Sequence, residues 1–318
     1  MKNIYKLILI VIFLMSFITC QSDDGLEDGS VNRTDGAVKL EIALSGSLQN
    51  PAFSPDGKII VFTHFRNGYN TPPSDLYTYN LESKELKELV VDGNSNVNLP
   101  GECWNASIKS IVFSSEGVSD DEIYYISENG TTGEEIRITN RNDNVAFEPT
   151  FSPDGKWIVF ESHKIDDEKN GIIVKYKLDG TSGYISLTAP GEDCKQPNWS
   201  PVGDKILYQK EEGGQWDIWI MNIDGTNKRM VTNFPGSKTD AAFSFDGQFI
   251  IFSSENAEVE LANIYKAPVY GTGQIRLTNY SGYDGAPSIS HDGTKLAFET
   301  SSTDPDKSKG TSLYIKNL

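Results

Sequence analysis

A repeated motif is the feature of this sequence that most constrains its fold. The motif is Pro, any residue, an aromatic residue and Ser-Pro-Asp-Gly-Lys, and a short apolar run follows it. It is complete at residues 51–58 and 149–156, and shortened copies begin at Pro197, Ala242 and Pro287. A degenerate copy around Trp104 keeps the aromatic residue and the apolar run but has lost the Pro-Asp-Gly turn. The chain is therefore built from six copies of one unit.

The copies have the spacing of propeller blades. Their anchor residues follow one another at intervals of 44 to 51 residues, and a period of roughly 40–50 residues is typical of four-stranded blades. In each copy the anchor lies in strand one, and Pro-Asp-Gly makes a tight hairpin to an apolar strand two. An alternating strand three and a short outer strand complete the blade. The anchors are Phe53, Trp104, Phe151, Trp199, Phe243 and Ile289.

The two ends of the chain predict how the ring closes. The sixth copy stops at Leu318, after its third strand, so its outer strand is missing from the C-terminus. Residues 38–44 alternate in polarity and have no other assignment. We expect them to complete the last blade, because this pairing removes an exposed sheet edge. The sequence thus predicts an all-β, six-bladed β-propeller with four-stranded blades over residues 37–318.

The repeat resembles that of the TolB-like six-bladed β-propeller superfamily over about residues 37–318. This resemblance implies the fold but says little about function. Related propellers of the prolyl-oligopeptidase type carry a hydrolase domain with a Gly-x-Ser-x-Gly elbow, and this sequence has none. The oligogalacturonate lyase type uses a histidine-rich metal centre. Here His64, His163 and His291 are expected as solvated loop residues on different faces, so neither a metal nor a cofactor is predicted.

The first twenty residues are typical of an export signal. Lys2 and Lys6 precede an apolar run over residues 7–18, which is shorter than the about 20 residues needed to span a membrane. The run ends at Thr19-Cys20, which resembles a bacterial lipobox. We therefore expect a signal peptide at 1–19, lipidation of Cys20 and a flexible acidic tether at 20–36. The expected location is the cell envelope, as an outer-membrane lipoprotein that faces the periplasm or the cell surface.

Charge and cysteine content limit the partners. The formal net charge of −17 argues against nucleic acid, because binding phosphates needs lysine and arginine. We expect a monomer that contacts the membrane only through its lipid anchor. Cys103 and Cys194 each follow a Gly-Glu pair or lie close after one. In an oxidising compartment they are candidates for a disulfide, and two buried or loop thiols are the alternative.

A ring of polar residues at the start of strand one is the candidate site. These residues are expected at the mouth of the central channel, where carboxylates and amides could bind a cation, a basic peptide or a sugar. Solvated loop charges that cap turns are the alternative. The candidate residues of the ring are Asn50, Glu102, Glu148, Gln196, Asp240 and Asp284, and a nearby loop adds the aromatic residue Tyr283.

Two functions are consistent with these features. The first is a non-enzymatic, lipid-anchored envelope propeller that acts as a binding or scaffold module for a protein or peptide partner. The second is an envelope protein that binds or processes carbohydrate, with two ring carboxylates as general acid and base. Because no catalytic motif is found, the sequence favours binding over catalysis. Two carboxylates at a suitable separation in a deep pocket would favour the second function.

Overall fold

The computed structural model describes residues 33–116, 121–141, 143–256, 259–301 and 310–318. The expected signal peptide, the lipidation site Cys20 and the tether as far as residue 32 lie outside the described residues. Within the described ranges the chain forms strands and turns, and no helix is long and apolar enough to cross a membrane.

Six antiparallel sheets form the blades of a β-propeller, as predicted. The first strand of the chain, β1 (Val38–Lys39), belongs to the last blade. Blade 1 contains β2 (Ser47–Phe53), β3 (Ile59–Phe65), β4 (Ser74–Asn80) and β5 (Leu86–Val90). Blade 2 contains β6 (Val97–Asn98), β7 (Trp104–Asn105), β8 (Ser110–Ser115), β9 (Glu122–Ser127) and β10 (Ile136–Arg137). Blade 3 contains β11 (Asn144–Phe151), β12 (Trp157–Lys164), β13 (Ile172–Lys177) and β14 (Ile185–Ser186).

The remaining three blades repeat this order. Blade 4 contains β15 (Cys194–Trp199), β16 (Lys205–Glu212), β17 (Gln215–Asn222) and β18 (Arg229–Met230). Blade 5 contains β19 (Lys238–Phe243), β20 (Phe249–Asn256), β21 (Val259–Pro268) and β22 (Ile275–Arg276). Blade 6 contains β23 (Asp284–Ile289), β24 (Lys295–Thr300) and β25 (Ser312–Asn317), with β1 at its outer edge.

The repeated motif makes the hairpin between the first two strands of a blade. In blade 1 the Ser54 hydroxyl donates to Asp56 Oδ1 at 2.7 Å, and the backbone N–H of Ile59 donates to Ser54 Oγ at 2.9 Å. Gly57 adopts a φ of 70°, which favours glycine. The degenerate copy in blade 2 replaces this network with Asn105, whose Oδ1 accepts the N–H groups of Ser107 and Ile108. One asparagine side chain therefore keeps the turn without the Pro-Asp-Gly sequence.

The core lies between the blades, because the second strand of each blade is covered on both faces. Ile60, Val61 and Phe62 of β3 are fully buried, and the corresponding residues of the other blades are equally enclosed. This continuous apolar burial explains why strand two reads as an unbroken hydrophobic run rather than an alternating one.

The N-terminal segment closes the ring, as predicted. Val38 pairs with Ile315 and Lys39 with Tyr314, and the Leu40 N–H donates to the Leu313 carbonyl at 2.8 Å. The regular strand is shorter than the predicted segment 38–44. Beyond this strand, three apolar residues of the segment pack into a core cluster with blade 1. They are Leu40, Ile42 and Leu44. The segment therefore joins the last blade to the first.

Candidate functional site

A β-bulge in the first strand of five blades positions the central residues of the site. Three residues before the anchor, each strand has a residue with φ between 45° and 54°, and the pairing register shifts there. A positive φ is uncommon in residues other than glycine, and bulges redirect side chains. The five residues line one cavity in the channel. They are Asn50, Glu148, Gln196, Asp240 and Ala286.

Gln196 joins two carboxylates in this cavity. Its Nε2 donates to Glu148 Oε1 at 2.9 Å and to Asp240 Oδ1 at 3.1 Å, and its Oε1 accepts the Asp240 N–H at 2.9 Å. The remaining cavity has a volume of about 30 Å³, which is room for one or two water molecules. The space left in the channel at this level is therefore small.

A second polar ring lies behind the first and was not predicted. In every blade the residue after the central aromatic of strand two is polar and buried. Its position is recognisable in the sequence as an aromatic residue followed by a polar one at the end of the apolar run. The six residues are Thr63, Ser114, Glu161, Gln209, Ser253 and Glu299. Together with the five bulge residues they form what we call the carboxylate mouth.

Two tyrosines connect blades 1 and 6 at the carboxylate mouth. The Tyr69 hydroxyl donates to Glu299 Oε1 at 3.4 Å, and Glu299 Oε2 accepts the Asn50 N–H at 3.1 Å. The rings of Tyr69 and Tyr283 pack edge to face with centroids 6.5 Å apart. Burial and the nearby Glu299 carboxylate raise the pKa of both phenols, which therefore stay protonated. The predicted residue Tyr283 thus lies at this mouth.

The carboxylate mouth contains buried polar atoms, both hydrogen-bond donors and acceptors, that have no partner among the described residues. Burial raises the pKa of Glu148 to about 7 and that of Glu161 well above its usual range. Eight buried side-chain polar atoms of the described residues lack a hydrogen-bond partner, and three of them belong to this mouth. Such groups are rare in native proteins and need an explanation. The three atoms are Glu148 Oε2, Gln209 Nε2 and Ser253 Oγ.

Glu102 does not join the other predicted residues. Strand one of blade 2 is interrupted, because β6 and β7 pair with β8 on either side of residues 99–103. This insertion places Glu102 on the side of the strand one–two turns, where its Oε1 accepts the Ser288 hydroxyl at 3.2 Å. Asn98 of β6 lies at the carboxylate mouth instead, where its Oδ1 accepts a hydrogen bond from Asn50 Nδ2 at 2.8 Å.

Asp284 is also placed elsewhere. It lies two residues earlier than the bulge position, which Ala286 occupies in blade 6. Its side chain is fully buried in an ion pair with Arg33 at 2.6 Å, and the Thr300 hydroxyl donates to it at 2.9 Å. Asp284 therefore binds the N-terminal segment instead of lining the channel.

The candidate disulfide is not formed. Cys103 and Cys194 are free, buried thiols that belong to different core clusters. Burial raises the pKa of both, that of Cys194 to about 12, so neither is a reactive thiolate. Cys103 belongs to blade 2 and Cys194 to blade 4, and because these blades are not adjacent, the two thiols lie in separate parts of the core.

The histidines differ from the expectation of solvated loops. His64 and His163 are buried at the ends of their strands, where His64 Nε2 bonds the Ser45 carbonyl at 2.6 Å and His163 stacks on Phe147. His291 stacks on Phe245 in a strand one–two turn. In the part of the chain that the structure describes, no group of three histidine, cysteine or acidic residues is arranged to hold a metal ion.

The buried carboxyls predict that stability decreases with rising pH. A carboxyl with a raised pKa binds more protons in the folded state than in the unfolded state, so its stabilisation is lost as the pH rises. The stabilisation by Glu148 is lost between pH 4.5, the usual pKa of the group, and its folded-state pKa of about 7. The stabilisation by Glu102 is lost between pH 4.5 and a pKa of about 8. We expect the free energy of unfolding to fall by a few kcal/mol, at most about 5 kcal/mol, between pH 5.5 and pH 9.

Urea denaturation at the two pH values measures this fall. The Glu148→Gln and Glu102→Gln double variant should show a smaller fall, whereas Glu82→Gln should match the wild type because Glu82 is exposed. An equal fall in all three proteins would contradict the assignment.

The comparisons with known proteins agree with this architecture. The TolB beta propeller domain family matches residues 33–229 and 188–311. A Tol-Pal system protein TolB of Francisella tularensis subsp. mediasiatica is 29% identical over 203 residues, which are 60% of this chain and 44% of that protein. The chain therefore spans less than half the length of this relative.

Solved structures show the same fold at low identity. TolB from Acinetobacter baumannii has a TM-score of 0.65 at 18% identity, over 83% of this chain and 65% of that chain. Oligogalacturonate lyase from Vibrio parahaemolyticus has a TM-score of 0.54 at 13% identity, over 89% of this chain and 93% of that chain. These two similarities concern the fold alone. Because the family match extends over most of the residues and the six blades agree with it, the chain belongs to the TolB β-propeller domain family.

Proposed function

We propose that this chain is a lipid-anchored envelope propeller that binds a protein or peptide partner at the carboxylate mouth and does not catalyse a reaction. The observation that supports this most is the set of unpaired, buried polar atoms at the carboxylate mouth, which are Glu148 Oε2, Gln209 Nε2 and Ser253 Oγ. A partner that donates to Glu148 Oε2 and accepts from Gln209 Nε2 would satisfy these groups. The family relationship supports the same proposal, because its relatives are named as components of a Tol-Pal system.

The charge of the mouth indicates the chemistry of the partner. Glu148, Glu161, Asp240 and Glu299 lie within the two polar rings, and the nearby Lys195 is 4.0 Å from Glu161. The chain as a whole has a net charge of −17. A segment with lysine, arginine or many backbone N–H groups would be attracted to this mouth and lose affinity as salt is added.

Carbohydrate processing is the second candidate, and one distance favours it. Because the Glu148 and Asp240 oxygens accept from the same nitrogen, they lie within about 6 Å of each other, which is compatible with a glycosidase pair. The Gln196 amide occupies the space between them, however. A sugar could be attacked there only after Gln196 moved away, so the geometry favours binding.

Charge reversal at the mouth tests the proposal. We expect Asp240→Lys to reduce capture of an envelope partner at least tenfold, because it places a cation where the partner's donors would bind. The measurement is photo-crosslinking in cells that express the full chain, with the photoreactive residue at position 69. Glu82→Lys is the matched control, since it makes the same charge change at an exposed site away from the channel.

The outcomes separate the two candidate functions. Equal crosslinking by both variants, at equal thermal stability, would contradict binding at the carboxylate mouth. Hydrolysis of a glycoside by the wild type, abolished by Glu148→Gln, would favour the carbohydrate function instead. Fractionation of the same cells tests the anchor, since Cys20→Ala should move the protein from the membrane to the soluble fraction.

A further inference from the structure

A second cavity lies further along the channel, at the strand one–two turns, and we call it the turn-side cavity. Its volume is about 180 Å³, below the roughly 300–1,000 Å³ of pockets for drug-sized ligands. Its walls are largely aromatic because five of the six anchors of the repeat, all except Phe53, line it. The wall residues that matter here are Trp104, Phe151, Trp199, Phe243 and Phe245.

Glu102 is the acidic residue of the turn-side cavity. The Ser288 hydroxyl donates to it, and no lysine or arginine of the described residues pairs with it. Surrounding protein atoms raise the pKa of its carboxyl to about 8. A buried carboxyl without a cation is costly when it ionises, and a bound cation removes that cost.

One aromatic residue of the turn-side cavity is exposed to solvent. Phe245, in the strand one–two turn of blade 5, lines the cavity and is 51% exposed. The cavity therefore combines aromatic walls, one exposed aromatic residue at its edge and one acidic group.

We propose that the turn-side cavity binds an organic cation, with an alkylammonium head near Glu102 and an apolar body against the aromatic walls. Aromatic rings attract ammonium groups through their quadrupole, most strongly where water is excluded. The negative net charge of the chain raises the local concentration of cations. This site is separate from the carboxylate mouth, and the proposal does not depend on the function proposed for that mouth.

Two other titratable groups belong to the surroundings of Glu102, one adjacent to it in the chain and one in the lining of the same cavity. The Cys103 thiol follows it in the chain and has a pKa raised well above its usual range by burial and by the Glu102 carboxylate. Burial lowers the pKa of His291, which lines the same cavity, so this ring is neutral above pH 7. Between pH 7 and pH 9 Glu102 is therefore the group of the three that changes charge.

Choline and its uncharged isostere 3,3-dimethylbutan-1-ol test the proposal directly. At pH 9 we expect choline to bind at least tenfold more tightly than the alcohol, measured by titration of the indole N–H signals of Trp104 and Trp199. The preference should fall severalfold at pH 7, because Glu102 gains a proton while choline keeps its charge. Glu102→Gln should abolish both the preference and its pH dependence, and Glu148→Gln, at the other mouth, should leave them unchanged.

A second variant and a second pair of ligands complete the test. Phe245→Ser changes an exposed wall residue and should weaken choline binding even if Glu102→Gln does not fold. N-acetyl-lysine methylamide, compared with its norleucine analogue, shows whether the cation is a side chain of a peptide or a free amine. Equal affinity for charged and uncharged partners in both pairs, or a charge preference that Glu148→Gln removes and Glu102→Gln does not, would overturn the proposal.

Discussion

Replacing Arg33 with alanine is expected to destabilise the folded chain by about 3–5 kcal/mol. The guanidinium contacts Asp284 at 2.6 Å and Asp35 at 2.6 Å, and the side chains of Arg33 and Asp284 are 1% and 0% exposed. It also lies over the rings of Tyr280, at 4.7 Å, and Phe298, at 5.0 Å. Without Arg33, Asp284 would remain as a buried charge with no cation to balance it.

Urea denaturation of matched variants separates this effect from a general loss of charge. Lys58→Ala removes an exposed pair with Glu82 and should change the free energy of unfolding by less than about 1 kcal/mol. Adding Asp284→Asn to Arg33→Ala should restore part of the stability, because it removes the uncompensated charge. A loss no greater than that of Lys58→Ala would show that Asp284 is adequately solvated without Arg33.

The fold was predictable because the repeat encodes local and global structure together. Ser54, Asp56 and Gly57 specify a hairpin that needs no distant contact, and the apolar run that follows requires a neighbour on both faces. The similar spacing of the anchors, at intervals of 44 to 51 residues, then favours a ring of equivalent blades. The sequence does not show that the closing strand is only two residues long, since its length depends on how residues 40–44 pack against blade 1.

The site was predictable where the spacing to the anchor is regular. Asn50, Glu148, Gln196 and Asp240 all stand three residues before their anchors and line one cavity. Glu102 stands two residues before Trp104, after an insertion that reverses the side of the channel it faces. An exact count from the anchor would have separated it from the other four.

Other features of the site depend on contacts between distant parts of the chain. Glu161 and Glu299 lie in strand two, and their role at the mouth follows from the neighbouring blade rather than from local pattern. The pairing of Asp284 with Arg33 joins residues that are 251 positions apart. Such pairs form because the ring closes. The sequence predicts which strands meet at the closure but not which side chains pair there.

Removing the N-terminal segment is expected to abolish cooperative unfolding. A chain that begins at Ser45 lacks Arg33, β1 and Leu40, so β25 becomes an exposed edge and the apolar cluster shared with blade 1 loses its cover. We expect this chain to aggregate or to unfold gradually, in contrast to a chain that begins at Gln21. Thermal unfolding followed by circular dichroism, with light scattering for aggregation, measures both effects.

A chain that begins at Gly36 distinguishes strand pairing from the buried ion pair. It keeps β1 and Leu40 but lacks Arg33 and Asp35, so it should unfold cooperatively with a stability close to that of Arg33→Ala. If the chains beginning at Ser45 and Gly36 were equally stable, the ion pair rather than the closing strand would hold the ring together. If the chains beginning at Gln21, Gly36 and Ser45 were equally stable, the N-terminal segment would not contribute to the closure of the ring.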